Sequence, residues 1–173
     1  MSHYPNLPLS LRLSAILIAL LICTPLAVAE NFRGKVVGVA DGDTITVMHQ
    51  GRGERIRLHG IDAPERGQPF NNRAKQFVSD LCFRKEVRVE TKGHDRYQRT
   101  IADVILPDGH ILNYEIVKAR LAWWFRRYAP NDPTLEGLEF QARQAQRGLW
   151  SDRGPVPPWE FRKNKPAPYT ERE

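Results

Sequence analysis

Three short stretches carry the residues that could do chemistry. Asp41-Gly42-Asp43-Thr44 comes first, then an unbroken run from Arg57 through Leu58, His59, Gly60, Ile61, Asp62, Ala63 and Pro64 to Glu65. Asp95-Arg96-Tyr97-Gln98-Arg99 follows later. Together they supply hard oxygen ligands for a divalent cation, guanidinium groups for an anion and a spare carboxylate for a proton. That mixture suits attack on a phosphodiester. A hard cation polarises phosphorus and neutralises charge, and arginine forks onto two phosphate oxygens as lysine cannot.

The surrounding pattern predicts the elements that place these groups. Phe32 to Ala40 alternates loosely, Thr44 to Met48 is β-branched, and Arg55 to Leu58 with Ile61 forms a third strand after the Gln50-Gly51-Arg52-Gly53 turn. Ala74, Phe77, Val78 and Leu81 fall at helical spacing within Pro69 to Leu81. Glu86 to Glu90 returns to strict alternation, and Thr100 to Leu106 is a further strand ended by Pro107-Asp108-Gly109. Helices are expected over Asn113 to Ala122 and from Asp132-Pro133 to Gly148, the latter with an acidic N-cap and Pro at its first position. Trp123-Trp124-Phe125 reads as core at a helix end, or as a base-stacking shelf. Five strands with a helix between the third and fourth imply an α+β chain built on a five-stranded OB-fold β-barrel with about three helices.

The 173 residues suffice for one domain with a real core, and a net charge of +6 fits a polyanionic partner. Residues 1–29 read as a signal peptide: Arg12, an apolar run from Leu13 to Ile22, and small residues at Ala27 and Ala29 before a cut after Ala29. An uncleaved membrane anchor is the rival reading of that run. Cleavage implies a secreted or periplasmic protein. It removes one basic residue and no acid, so the charge falls to +5, and Cys82 remains as the sole cysteine. That leaves no internal disulfide despite the oxidising destination, and Cys82 reads as buried and inert. Residues 30–152 form the domain. Residues 153–173 read as a Pro-rich and basic tail, of which Gly154 to Phe161, with Pro155, Pro157, Pro158 and Trp159, is expected to lie along the domain. Residues after Arg162 are expected to be mobile, with Arg162-Lys163-Asn164-Lys165 a solvated run open to nonspecific phosphate contact.

The three motifs, in order and spacing, resemble those of the staphylococcal nuclease (thermonuclease) family across roughly Phe32 to Trp150. The resemblance implies an OB-fold barrel and calcium-dependent hydrolysis of DNA and RNA with little sequence specificity. Matched residue by residue, it implies Asp43, Asp62 and the Ala63 carbonyl as Ca2+ ligands, and Arg57 and Arg99 as the phosphate-binding arginines. Glu65 corresponds to the residue that positions or deprotonates the attacking water, while Tyr97 and Tyr128 match tyrosines near the bound nucleotide. Two departures stand out. Gln98 replaces a glycine of the family's best-known member in the loop that delivers Arg99, and His59-Gly60 replace aliphatic residues.

Each motif has a plainer reading: Asp41 and Asp43 as turn formers, Arg57 and Arg99 as surface cations, Glu65 as a solvated acid. Jointly they favour an active site, for which His59 and His94 are unnecessary. The expected substrate is single-stranded DNA or RNA, met by a monomer. The alternative is a barrel that binds single strands without cutting them, though a pure binder has no need of the full set Asp43, Arg57, Asp62, Glu65 and Arg99. A third reading, an envelope-tethered interaction domain, requires residues 1–29 to stay attached.

Overall fold

A computed structural model describes residues 31–164; the expected signal peptide over residues 1–29 and the tail from residue 165 lie outside the described residues. Five strands close into a barrel: β1 (Phe32–Val39), β2 (Thr44–His49), β3 (Arg52–Leu58), β5 (Glu86–His94) and β6 (Thr100–Ile105), in the order β1-β2-β3-β6-β5. β5 returns antiparallel to β1, and β3 pairs parallel with β6. Alternate residues fill the interior, as the period of two requires: Val36, Ile45, Val47, Ile56, Leu58, Val87, Val89, Ala102 and Val104 are all essentially buried. Each contributes about 1.5–3 kcal/mol by leaving water, less for alanine.

The predicted third strand is interrupted. It ends at Leu58, and Gly60 (φ +71°) turns the chain sharply into a separate β4 (Ile61–Asp62). A side chain at Gly60 would meet Leu135 Cδ1 at 2.9 Å and Ala129 Cβ at 3.0 Å, so the turn needs glycine for both conformation and space.

Helix α1 (Asn71–Cys82) buries Ala74, Val78 and Cys82 along one stripe. Cys82 is buried as expected. Burial pushes its thiol up to about 12, and Sγ donates to the Val78 carbonyl at 3.0 Å. Helix α2 (Leu112–Lys118) is shorter than its pattern suggests, because Arg120 takes a left-handed conformation (φ +66°) just beyond it. Trp123-Trp124 is core, as expected, but it is not at a helix end and not a stacking shelf. It forms β7 (Trp123–Trp124), antiparallel to β4, with Asp62 opposite Trp123 and both tryptophans 3% exposed.

Helix α3 (Pro133–Gln144) starts as predicted: Asp132 Oδ1 accepts from the Leu135 N–H at 2.9 Å, and Pro133 follows the cap. A 3-10 turn over Gly148–Ser151 and a short fourth helix, α4 (Pro158–Asn164), complete the fold. No helix among the described residues is long and apolar enough to cross a membrane.

Candidate active site

Barrel topology gathers the acids. The Asp41-to-Thr44 loop lies between β1 and β2, and β2 pairs with β3 so that Thr44 stands opposite Arg57. The Asp43 carbonyl accepts from the Leu58 N–H at 2.8 Å, and Asp43 Oδ2 accepts from the Ala63 N–H at 2.8 Å. Glycine at position 42 permits this closeness, since a Cβ there would meet the Cβ atoms of Ala63 and Ala74, both at 2.8 Å. Asp43, Ala63 and Glu65 line an open cleft of about 460 Å³, with Asp41 beside them and Asn72 and Lys75 of α1 on its wall. The Glu65 N–H donates to Gln68 Oε1 at 2.7 Å, which fixes the loop carrying that acid.

Arg57 sits behind the acids. Its Nη2 donates to Asp62 Oδ1 at 2.7 Å, and its Nη1 lies 2.6 Å from Asp43 Oδ2. The second contact is a charge pair without hydrogen-bond alignment, leaving Nη1 a buried donor with no aligned acceptor. Arg99 reaches the same end of the barrel because β3 and β6 run parallel. Its Nη1 is 3.4 Å from Thr44 Oγ1, and that hydroxyl donates to Asp43 Oδ1 at 3.1 Å.

Tyr97 is exposed, with its ring 5.7 Å from the Arg99 guanidinium carbon. Tyr128 is also exposed and packs edge-on against Phe125, whose ring stacks flat on Trp159. The structure thus brings Asp43, Arg57, Asp62, Ala63 and Glu65 into one cluster, with Arg99 and Tyr97 at its border. Tyr128 joins it only through the aromatic stack. His59 faces elsewhere, toward Asp103 and the Tyr128 carbonyl.

The sequence reading missed one member. Arg162 belongs to helix α4 rather than to a solvated run. It forks onto Asp62, Nη2 to Oδ2 at 2.7 Å and Nη1 to Oδ1 at 3.2 Å, and its Nη1 reaches Glu65 Oε1 at 2.6 Å. The nearest signal is the Pro-rich stretch from Gly154 to Phe161 with Trp159, expected to lie along the domain, which stops one residue short of Arg162.

The acids crowd one another. Burial, and then the charge of Asp43, push Asp41 up to about 6, and burial raises Asp62 against the pull of Arg162 and Arg57. Such a set of oxygen donors fits a hard divalent cation, which would relieve the repulsion. No three His, Cys, Asp or Glu side chains among the described residues form a metal cage by themselves. Two carboxylates plus a main-chain oxygen would leave coordination positions for water and substrate.

The family whose model matches the chain, over residues 55–152, is described as "Staphylococcal nuclease homologue". An Escherichia coli protein named "Uncharacterized endonuclease" is 44% identical over 135 residues, covering 78% of this chain and 88% of its own. A Shigella flexneri "Micrococcal nuclease" is 40% identical over 163 residues, 89% and 92% of the two chains. A Haemophilus influenzae "Uncharacterized endonuclease" is 38% identical over 149 residues, 84% and 83% respectively.

Proposed function

Because this chain belongs to the staphylococcal nuclease family, we propose that it is an exported nuclease that hydrolyses the phosphodiester bonds of DNA and RNA with calcium as cofactor. The observation that carries the reading is the clustering of Asp43, Arg57, Asp62 and Glu65, of which Asp43 and Glu65 line one open cleft while Arg57 and Asp62 are ion-paired behind it. Export rests on the apolar run and small-residue cleavage pattern before Glu30.

Asp43, Asp62 and the Ala63 carbonyl would hold the cation. When bound, calcium supplies Lewis acidity at the phosphate and part of the counter-charge. The remaining work falls to side chains of the chain itself. Arg57 brings a guanidinium, paired to Asp43 and Asp62, to the back of the site. Arg99 brings a second guanidinium to the same end of the barrel. Their donors tighten on the extra charge of the five-coordinate phosphorus. Glu65, on the cleft wall, orders the attacking water and accepts its proton. As the water oxygen bonds to phosphorus the P–O5′ bond breaks; the leaving oxygen takes a proton from solvent to become a 5′-hydroxyl, and a 3′-phosphate remains. Tyr97 offers its exposed ring to a base, which favours unpaired strands.

The test is digestion of heat-denatured DNA with added calcium or with chelator. Cleavage is expected only with calcium; equal cleavage in both removes the metal from the reading. Glu65→Gln is expected to lower the rate by roughly 10²–10⁴-fold, as loss of a positioned base does. A rate within a few-fold of wild type would remove Glu65 from that role.

A further inference from the structure

We propose that Arg162 is a resident competitor for the cation: its guanidinium bridges Asp62 and Glu65 and must be released from Asp62 before a divalent ion can take that carboxylate. The inference rests on the reading of Asp62 as a metal ligand. Both Asp62 oxygens are already engaged, Oδ1 by Arg57 Nη2 and Oδ2 by Arg162 Nη2, each at 2.7 Å. Arg162 Nη1 bridges to Glu65 at 2.6 Å. A divalent ion on Asp62 would need the Oδ2 that Arg162 holds and would lie a few ångströms from its charge, so the two compete for one acceptor while Arg57 keeps Oδ1.

The contact is built into the fold. The Trp159 ring stacks on Phe125 with centroids 5.0 Å apart and planes within 3°. Pro158 is buried, and the Val156 carbonyl accepts from Gln68 Nε2 at 3.1 Å. The same Gln68 accepts from the Glu65 N–H, so one side chain ties the strap to the loop it guards. The two partners also differ in freedom. The Asp62 side chain is 1% exposed, whereas that of Arg162 is 41% exposed and has a path to solvent. On exchange the arginine leaves and the acid stays.

The experiment titrates calcium chloride into the full chain without nucleic acid, by isothermal titration calorimetry, for wild type, Arg162→Gln, Arg162→Lys and Trp159→Ala. Arg162→Gln is expected to bind calcium about tenfold more tightly, because one charge-assisted competitor is gone. It should also melt lower without calcium. Arg162→Lys keeps the charge but cannot fork across both acids, so its Kd should fall between the two. Trp159→Ala retains Arg162 on a loosened strap and should tighten binding in the same direction. A wild-type Kd in Arg162→Gln overturns the proposal and leaves the nuclease reading intact. Should Arg162→Gln fail to fold, wild-type Kd values in both other variants overturn it equally. Absence of calcium binding in every protein removes the metal assignment and the competitor with it.

Discussion

The Arg99 guanidinium is held by a carboxylate four residues before it: Nε donates to Asp95 Oδ2 at 2.7 Å, while the Arg99 N–H donates to Oδ1 at 3.0 Å. The Tyr97 N–H also donates to Oδ1, at 2.8 Å. One acid therefore folds the turn and aims the side chain that leaves it. Asp95→Ala should preserve the barrel yet lower kcat/KM on denatured DNA by about 10-fold to 10²-fold, through a misplaced guanidinium. Steady-state kinetics would check this; an unchanged value would show that Arg99 is placed by Thr44 alone.

That turn also stores strain. Gln98 has φ +60°, in the left-handed region that glycine adopts freely. The penalty for a residue with a Cβ is roughly 1–2 kcal/mol, larger than the roughly 0.4–1 kcal/mol of extra unfolded-chain entropy that glycine brings. Gln98→Gly should thus stabilise the protein by about 0.5–1 kcal/mol, and Gln98→Val should destabilise it. Urea denaturation of the three proteins decides the matter, and a less stable glycine variant would refute it.

Asn113 is fully buried at the start of α2 and joins three segments. Its Nδ2 donates to the His59 carbonyl at 3.0 Å and the Ala102 carbonyl at 3.1 Å, while Oδ1 accepts from the Val104 N–H at 3.1 Å. Asn113→Ala strands that N–H inside the barrel wall and should cost about 2–4 kcal/mol. A loss below about 1 kcal/mol in equilibrium unfolding would mean that water replaces the amide.

His59 makes stability depend on pH. Its hydrogen bond to Asp103 raises the imidazole above its ordinary value, despite partial burial. The folded state therefore holds the proton more tightly than the unfolded chain. The gain is fully present below about pH 6.5, the unfolded imidazole value, and is lost as pH rises through the folded value. The melting temperature of wild type relative to His59→Gln should be higher at pH 5.5 than at pH 8.5. Parallel curves would exclude the pair.

The features visible in the sequence were the local ones. Alternation in Thr44 to Met48 and Glu86 to Glu90, the Asp132-Pro133 helix start and the spacing of Ala74 and Val78 all depend on neighbours a few residues apart, and each reappears in the fold. The clustering of Asp43, Arg57 and Asp62 followed from motifs that share adjoining strands. What escaped depends on distant partners. Trp123-Trp124 became a strand because Ile61–Asp62 needed one, across some sixty residues of chain. Arg162 pairs with Asp62 from a hundred positions away, and no local pattern encodes that meeting. Gln98 shows its strain only once the turn is drawn.

Closure of the barrel has a bearing on aggregation. Each of its five strands is flanked on both sides, since β5 returns to β1. Pairing β5 to β1 covers the edges that an open sheet would offer to a stranger's chain, and so reduces the foothold for fibril growth. A fold closed on itself in this way draws resistance to aggregation from geometry alone.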